Sequence, residues 1–61
     1  MADKSLEIWN EAYSIYTDSN RTEGAQYNDM QSFLRDQVKA GNIDMATKFA
    51  MAADIMRTAD L

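Results

Sequence analysis

The sequence predicts an all-α fold: a small three-helix bundle, or a helical hairpin with an added N-terminal helix. Three observations carry this. Three segments place apolar residues at helical spacing, and no segment alternates with the period of two that a strand requires. The chain has no Pro and only two Gly. Finally, Ala40-Gly41-Asn42-Ile43-Asp44 stops one helical pattern and starts another at once, so the flanking helices must fold back antiparallel. Gly41 can adopt the left-handed conformation that ends a helix, and Asn42 or Asp44 can cap the next one.

The first helix is expected from Lys4 to Thr17. Leu6, Ile8, Trp9, Ala12, Tyr13, Ile15 and Tyr16 fill one half of its wheel. Asp3, Glu7, Asn10, Glu11, Ser14, Thr17 and Asp18 fill the other, and only Ser5 breaks the division. Asp3 is the expected N-cap. The next stretch, Asp18 to Ala25, is polar and aperiodic and holds the first Gly, so it reads as a loop.

The second helix is expected from Asp29 to Ala40, with Asn28 as N-cap and Gln31 completing a capping box. Tyr27, Met30, Phe33, Leu34 and Val38 share its apolar face. Gln37 falls within that face, where it needs a hydrogen-bond partner or an edge position. The third helix is expected from Ile43 to Ala59. Its larger apolar face is Met45, Ala46, Phe49, Ala50, Ala52, Ala53, Met56 and Ala59, small enough in places for a close helix approach. Met51 and Ile55 stand more than ~100° from the middle of that face, and Thr47 and Thr58 extend their stripe. Turning the chain at Gly41 then sets Met30, Phe33, Leu34 and Val38 against Met45, Phe49, Ala52 and Met56. The Trp9 face covers the rest, and Met51 and Ile55 are left outside.

Sixty-one residues form one domain, 1–61, whose lone core is marginal. Without Cys or His, the chain has neither disulfides nor the usual zinc ligands. Oligomerisation or docking on a larger protein is the remaining common support, with a dimer as the expected oligomer. The first helix could pack on its own hairpin or be exchanged with a neighbour. The formal charge of −4 and pI of about 4.4 argue against a phosphate-binding surface. No apolar run approaches the ~20 residues of a membrane span. The Met-Ala-Asp-Lys-Ser start lacks the apolar core of a secretory signal, and a Cys-free chain fits a cytoplasmic setting.

Catalysis finds no His base, Cys nucleophile or Gly-rich phosphate cradle, and carboxylates along an exposed face stay ionised. Asp18, Asn20, Thr22 and Asp29 match positions one, three, five and twelve of a calcium loop. Glu23 replaces its Gly, however, and Asp29 is short for the bidentate Glu. Asn20-Arg21-Thr22 matches a glycosylation sequon and reads as coincidence. The tight joint between the second and third helices suits a helix-turn-helix. Yet the would-be reading helix sets only Lys48 and Arg57 against Asp44, Asp54 and Asp60.

Gly41-Asn42-Ile43-Asp44-Met45-Ala46, followed by Ala50 and Ala53, resembles the turn and second helix of a tetratricopeptide repeat. Met30 and Phe33 take large apolar positions of its first helix, while Leu34 and Gln37 stand where that family has a small residue and an aromatic. The similarity covers the second half of the chain. It implies a shared hairpin geometry rather than membership, since one repeat cannot bury its own face.

These observations predict a non-enzymatic, acidic protein–protein interaction module with no cofactor and no metal. Its expected contact surface is Met51, Ile55, Thr47 and Thr58, with Trp9 and Tyr16. The alternatives are an acidic mimic of nucleic acid using Asp3, Glu7, Glu11 and Asp18, or a small structural or accessory subunit of a phage or bacterial assembly.

Overall fold

The computed structural model describes residues 4–61. Its elements are α1 (Ser5–Tyr16), α2 (Glu23–Lys39) and α3 (Met45–Ala59), with no strand among the described residues. The expected cap Asp3 lies outside those residues. Lys4 occupies the N-cap position of α1 without a capping side chain, and Glu7 meets the positive end of the helix dipole. At the other end Thr17 Oγ1 donates to the Tyr13 carbonyl at 2.7 Å, and the Thr17 backbone N–H donates to the same oxygen.

α2 starts at Glu23, not Asp29, so the expected loop is shorter and Asn28 is an interior residue rather than a cap. The true cap is Thr22, in extended conformation, whose Oγ1 accepts from the Ala25 N–H at 3.2 Å. Gly24 costs little there, because the first N–H groups of a helix have no partner within it. Tertiary contacts anchor the extra turns. Gln26 Nε2 donates to the Asp18 carbonyl at 2.7 Å, and Arg21 bridges Asp18 and Asp29 at 2.6 and 3.1 Å.

The α2–α3 junction forms as predicted at Gly41, with φ +79°. The Gly41 N–H bonds to the Val38 carbonyl and the Asn42 N–H to the Gln37 carbonyl, both at 3.0 Å, which is the paired closure of a Schellman motif. Across the same turn Asn42 Nδ2 donates to Gln37 Oε1 at 2.8 Å, giving Gln37 the partner it needs. Ile43 leaves the helical path and is buried. Asp44, not Asn42, caps α3 by accepting from the Thr47 N–H at 2.7 Å, so that helix begins at Met45 rather than Ile43.

The core comprises Ile8 and Ala12 from α1, Met30 and Leu34 from α2, Ile43, and Met51, Ala52 and Ile55 from α3. Trp9, Tyr13, Ile15, Tyr16, Phe33, Val38 and Met56 pack against it. Leu6 and Tyr27, expected inside, are exposed. The larger correction concerns α3, whose inward and outward faces are the reverse of the expectation. Ile55 is fully buried and Met51 nearly so, while Phe49 is 63% and Met45 49% exposed. Ala46, Ala50 and Ala53 also face outward.

Lys48 marks the reversal. It looks like a marker of the polar face, yet it is 6% exposed and its Nζ donates to Gln31 Oε1 on α2 at 2.8 Å. Its aliphatic stem lies along the inner seam and only the ammonium needs a polar partner. On the opposite edge of the seam, Asp54 accepts from Trp9 Nε1 on α1 at 2.9 Å. Positions 48 and 54 lie about 120° apart on the wheel, and Met51, Ile55 and Thr58 fall between them. The alternative face has more apolar residues, but many are Ala, and each Ala buries little area.

All three helices contact one another within one chain. The radius of gyration, 11.1 Å, is close to the roughly 10.5 Å expected of a compact chain this long. Within the single chain α1 packs on the α2–α3 hairpin.

Gly41→Val should cost about 1–2 kcal/mol, because a β-branched residue resists the left-handed conformation. A Cβ there meets nothing within 4 Å, so the penalty is conformational and not steric crowding. Urea unfolding reads it, and an unchanged midpoint would reject the turn. Ile55→Ala should cost about 2–5 kcal/mol, out of roughly 3–9 kcal/mol for a domain of this length. Little or no loss on the same assay would return Ile55 to the surface.

Candidate functional site

The residues expected to meet a partner divide between the core and its margin. Met51 and Ile55 are interior. Thr47 and Thr58 are half-buried, and Thr47 is engaged in the Asp44 cap. Trp9 is half-buried, bonded to Asp54, and stacked on Tyr13 with ring centres 5.1 Å apart and planes 10° from parallel. Tyr16 packs against the core. The Met51–Ile55 stripe is thus not a free surface of the folded chain.

The free apolar surface is the outward side of α3. Met45, Ala46, Phe49, Ala50 and Ala53 lie there, spanning about 140° of the wheel. Phe49 is held in place: the Lys48 ammonium sits 4.8 Å from its ring centre, a cation–π contact that leaves most of the ring outside. At the far end of the same side stand Arg57 and Asp60, both exposed. The residue spacing is visible in the sequence. Its outward direction is not, because Lys48 reads as solvent-facing until Gln31 is seen beneath it.

A second apolar feature is an open groove of ≈ 520 Å³ between α1 and α3, lined by Leu6, Trp9, Met51 and Asp54 among others. Asp54 is one of its polar lining residues, with Ser5 and Asn10. Hydrogen bonding from Arg57 first, then from Trp9, holds the Asp54 carboxyl below its ordinary value of 3.8. Thr47, through its side chain and then its N–H, does the same to Asp44.

The calcium-loop positions are otherwise engaged. The Asp18 and Asp29 carboxylates both pair with Arg21, Asp18 also accepts from the Asn20 N–H, and Thr22 caps α2. A guanidinium therefore stands where those carboxylates would need to meet a metal ion. Among the described residues no three acidic side chains converge as a metal site requires. The acidic row is likewise reduced. Glu7 and Glu11 are exposed, Asp18 is tied to Arg21, and Asp3 lies outside the described residues. With Lys48 buried, Arg57 is the one exposed cation of α3, and it pairs with Asp54 at 2.8 Å. Among the described residues no helix is long and apolar enough to cross a membrane. No protein-family model, curated protein or solved structure matches the chain.

The Trp9–Asp54 bond predicts a pH response. A carboxyl whose folded pKa is depressed stabilises the fold above its unfolded pKa, and that contribution is lost as pH falls through the folded value. Emission from Trp9, the one Trp of the chain, should therefore hold steady at neutral pH and change below the ordinary carboxyl value of 3.8. Arg57→Ala should move the transition upward, and Asp54→Asn should remove it. Identical profiles for all three proteins, with circular dichroism reporting the fold, would refute the link.

Proposed function

We propose that this protein is a non-enzymatic interaction module that docks through the outward face of α3. One observation carries the reading: Phe49 and Met45, 63% and 49% exposed, stand one helical turn apart beside Ala46, Ala50 and Ala53. A large aromatic in the open, with small neighbours that let another surface approach, suits a protein contact. Met adds adaptability at its edge. The reading needs no cofactor or metal, and it includes a cytoplasmic setting, in keeping with a chain that has no Cys.

The non-enzymatic part rests on the available chemistry. The chain has no His or Cys, and Glu7 and Glu11 lie in water, where nothing arranges them for proton transfer. The acidic-mimic alternative keeps only these two exposed carboxylates from its row among the described residues. An accessory role in a phage or bacterial assembly would use the same α3 face.

The test compares wild type, Phe49→Lys, and the double variant Glu7→Lys/Glu11→Lys as bait in an extract of the source cells, with fold verified by circular dichroism. Phe49 is largely exposed, so Phe49→Lys should leave the unfolding free energy within ~0.5 kcal/mol of wild type. It should also lose the proteins that wild type retains. Retention by Phe49→Lys and loss by the double variant would transfer the function to the acidic row.

A further inference from the structure

We propose that a recess at one end of the bundle binds a small organic cation, a guanidinium compound. The recess has a volume of ≈ 440 Å³ and is lined by Tyr16, Thr17, Glu23, Gln26, Ala59 and Asp60. That volume lies within the roughly 300–1,000 Å³ of small-molecule sites. It forms where α1 stops, α2 starts and α3 stops. The site is independent of the docking reading, because neither Phe49 nor Met45 lines it.

Its polar lining is set to accept hydrogen bonds. Thr17 Oγ1 already donates its proton to the Tyr13 carbonyl, and Gln26 Nε2 donates to the Asp18 carbonyl. Thr17 Oγ1 and Gln26 Oε1 keep their acceptor capacity. Glu23 and Asp60 are exposed, and neither joins an ion pair among the described residues. No Lys or Arg lines the recess. The groove between α1 and α3 differs in this respect, since its Asp54 is already paired with Arg57. Helix ends add to the negative potential. α1 has no basic residue in its last turn, so no side chain of its own offsets the negative end of its dipole. α2 begins with the opposite polarity, which Glu23 in its first turn offsets.

The arrangement of these acceptors selects a guanidinium. They stand on three elements around one space, and a guanidinium carries five donors spread in a plane. Its face also stacks on an aromatic ring, which Tyr16 supplies, while Ala59 gives an attached alkyl chain an apolar contact. An ammonium is a compact point charge that reaches fewer of these acceptors at once. A bare metal ion lacks its ligands, since no three acidic side chains converge among the described residues. Both carboxylates face water, so the affinity is modest, with a dissociation constant of about 1 mM.

Proton–nitrogen correlation spectra of the labelled full chain test this, with n-butylguanidinium as probe up to about 20 mM. Saturable shifts should appear at the backbone N–H groups of Thr17, Glu23 and Asp60. The neutral isostere n-butylurea should cause none, and n-butylammonium should bind several-fold more weakly. Glu23→Gln and Asp60→Asn should each weaken binding by about threefold or more, and together remove saturation. Glu7→Gln/Glu11→Gln should bind as wild type does, which separates the recess from general attraction to an acidic chain. The same spectra report whether each variant is folded. Absence of saturable shifts at the recess, equal binding of the urea or the ammonium, or undiminished binding by the folded Glu23→Gln/Asp60→Asn variant would overturn the assignment. None of these outcomes bears on the extract experiment with Phe49→Lys.

Discussion

Between Ala40 and Asp44 the backbone reverses on a few named hydrogen bonds. Gly41 supplies the left-handed step, the Val38 and Gln37 carbonyls receive the Gly41 and Asn42 N–H groups, and Asp44 holds the first turn of α3. The rotational phase of α3 follows from this closure. With the helix starting at Met45 and Ile43 already under the bundle, the inward side carries Lys48, Met51, Ala52 and Ile55. The core, the Trp9–Asp54 bond and the exposure of Phe49 all depend on that phase. A one-residue change would rotate α3 by about 100° and carry much of its buried stripe out of the core.

Two polar contacts hold the chosen phase. Lys48 reaches α2 through Gln31, and Asp54 reaches α1 through Trp9, one on each side of the buried stripe. Neither needs to add much net stability. A hydrogen bond exchanged with water contributes only about 0.5–1.5 kcal/mol. The larger effect is permissive: Gln31 supplies the acceptor without which burial of the Lys48 ammonium would be strongly disfavoured.

The legible parts of the fold were those with local causes. Periodicity places α1 within a residue of its observed span, and the Gly41 turn follows from backbone sterics alone. The α2 start was obscured because Gly24 resembles a loop residue, while what extends the helix to Glu23 is partly remote, through Gln26, Asp18 and Arg21. On α3 the count of apolar residues favoured the face that proves to be exposed. Counting treats Ala as equal to Ile and any Lys as exposed, and both assumptions fail here. The candidate surface was legible only as a list of apolar positions, since its direction depends on a contact between residues 17 positions apart.

The Trp9–Asp54 bond joins residues separated by 45 positions. Most other contacts are local to one helix or to the hairpin, and chains dominated by short-range contacts fold in microseconds to milliseconds. Closing that long loop carries an entropic penalty that the hairpin does not face. The indole thus sits at a sequence-distant contact, the seat of α1 against α3. The same side chain that lines the groove in the native protein therefore reports, through its indole, whether the first and third helices are together.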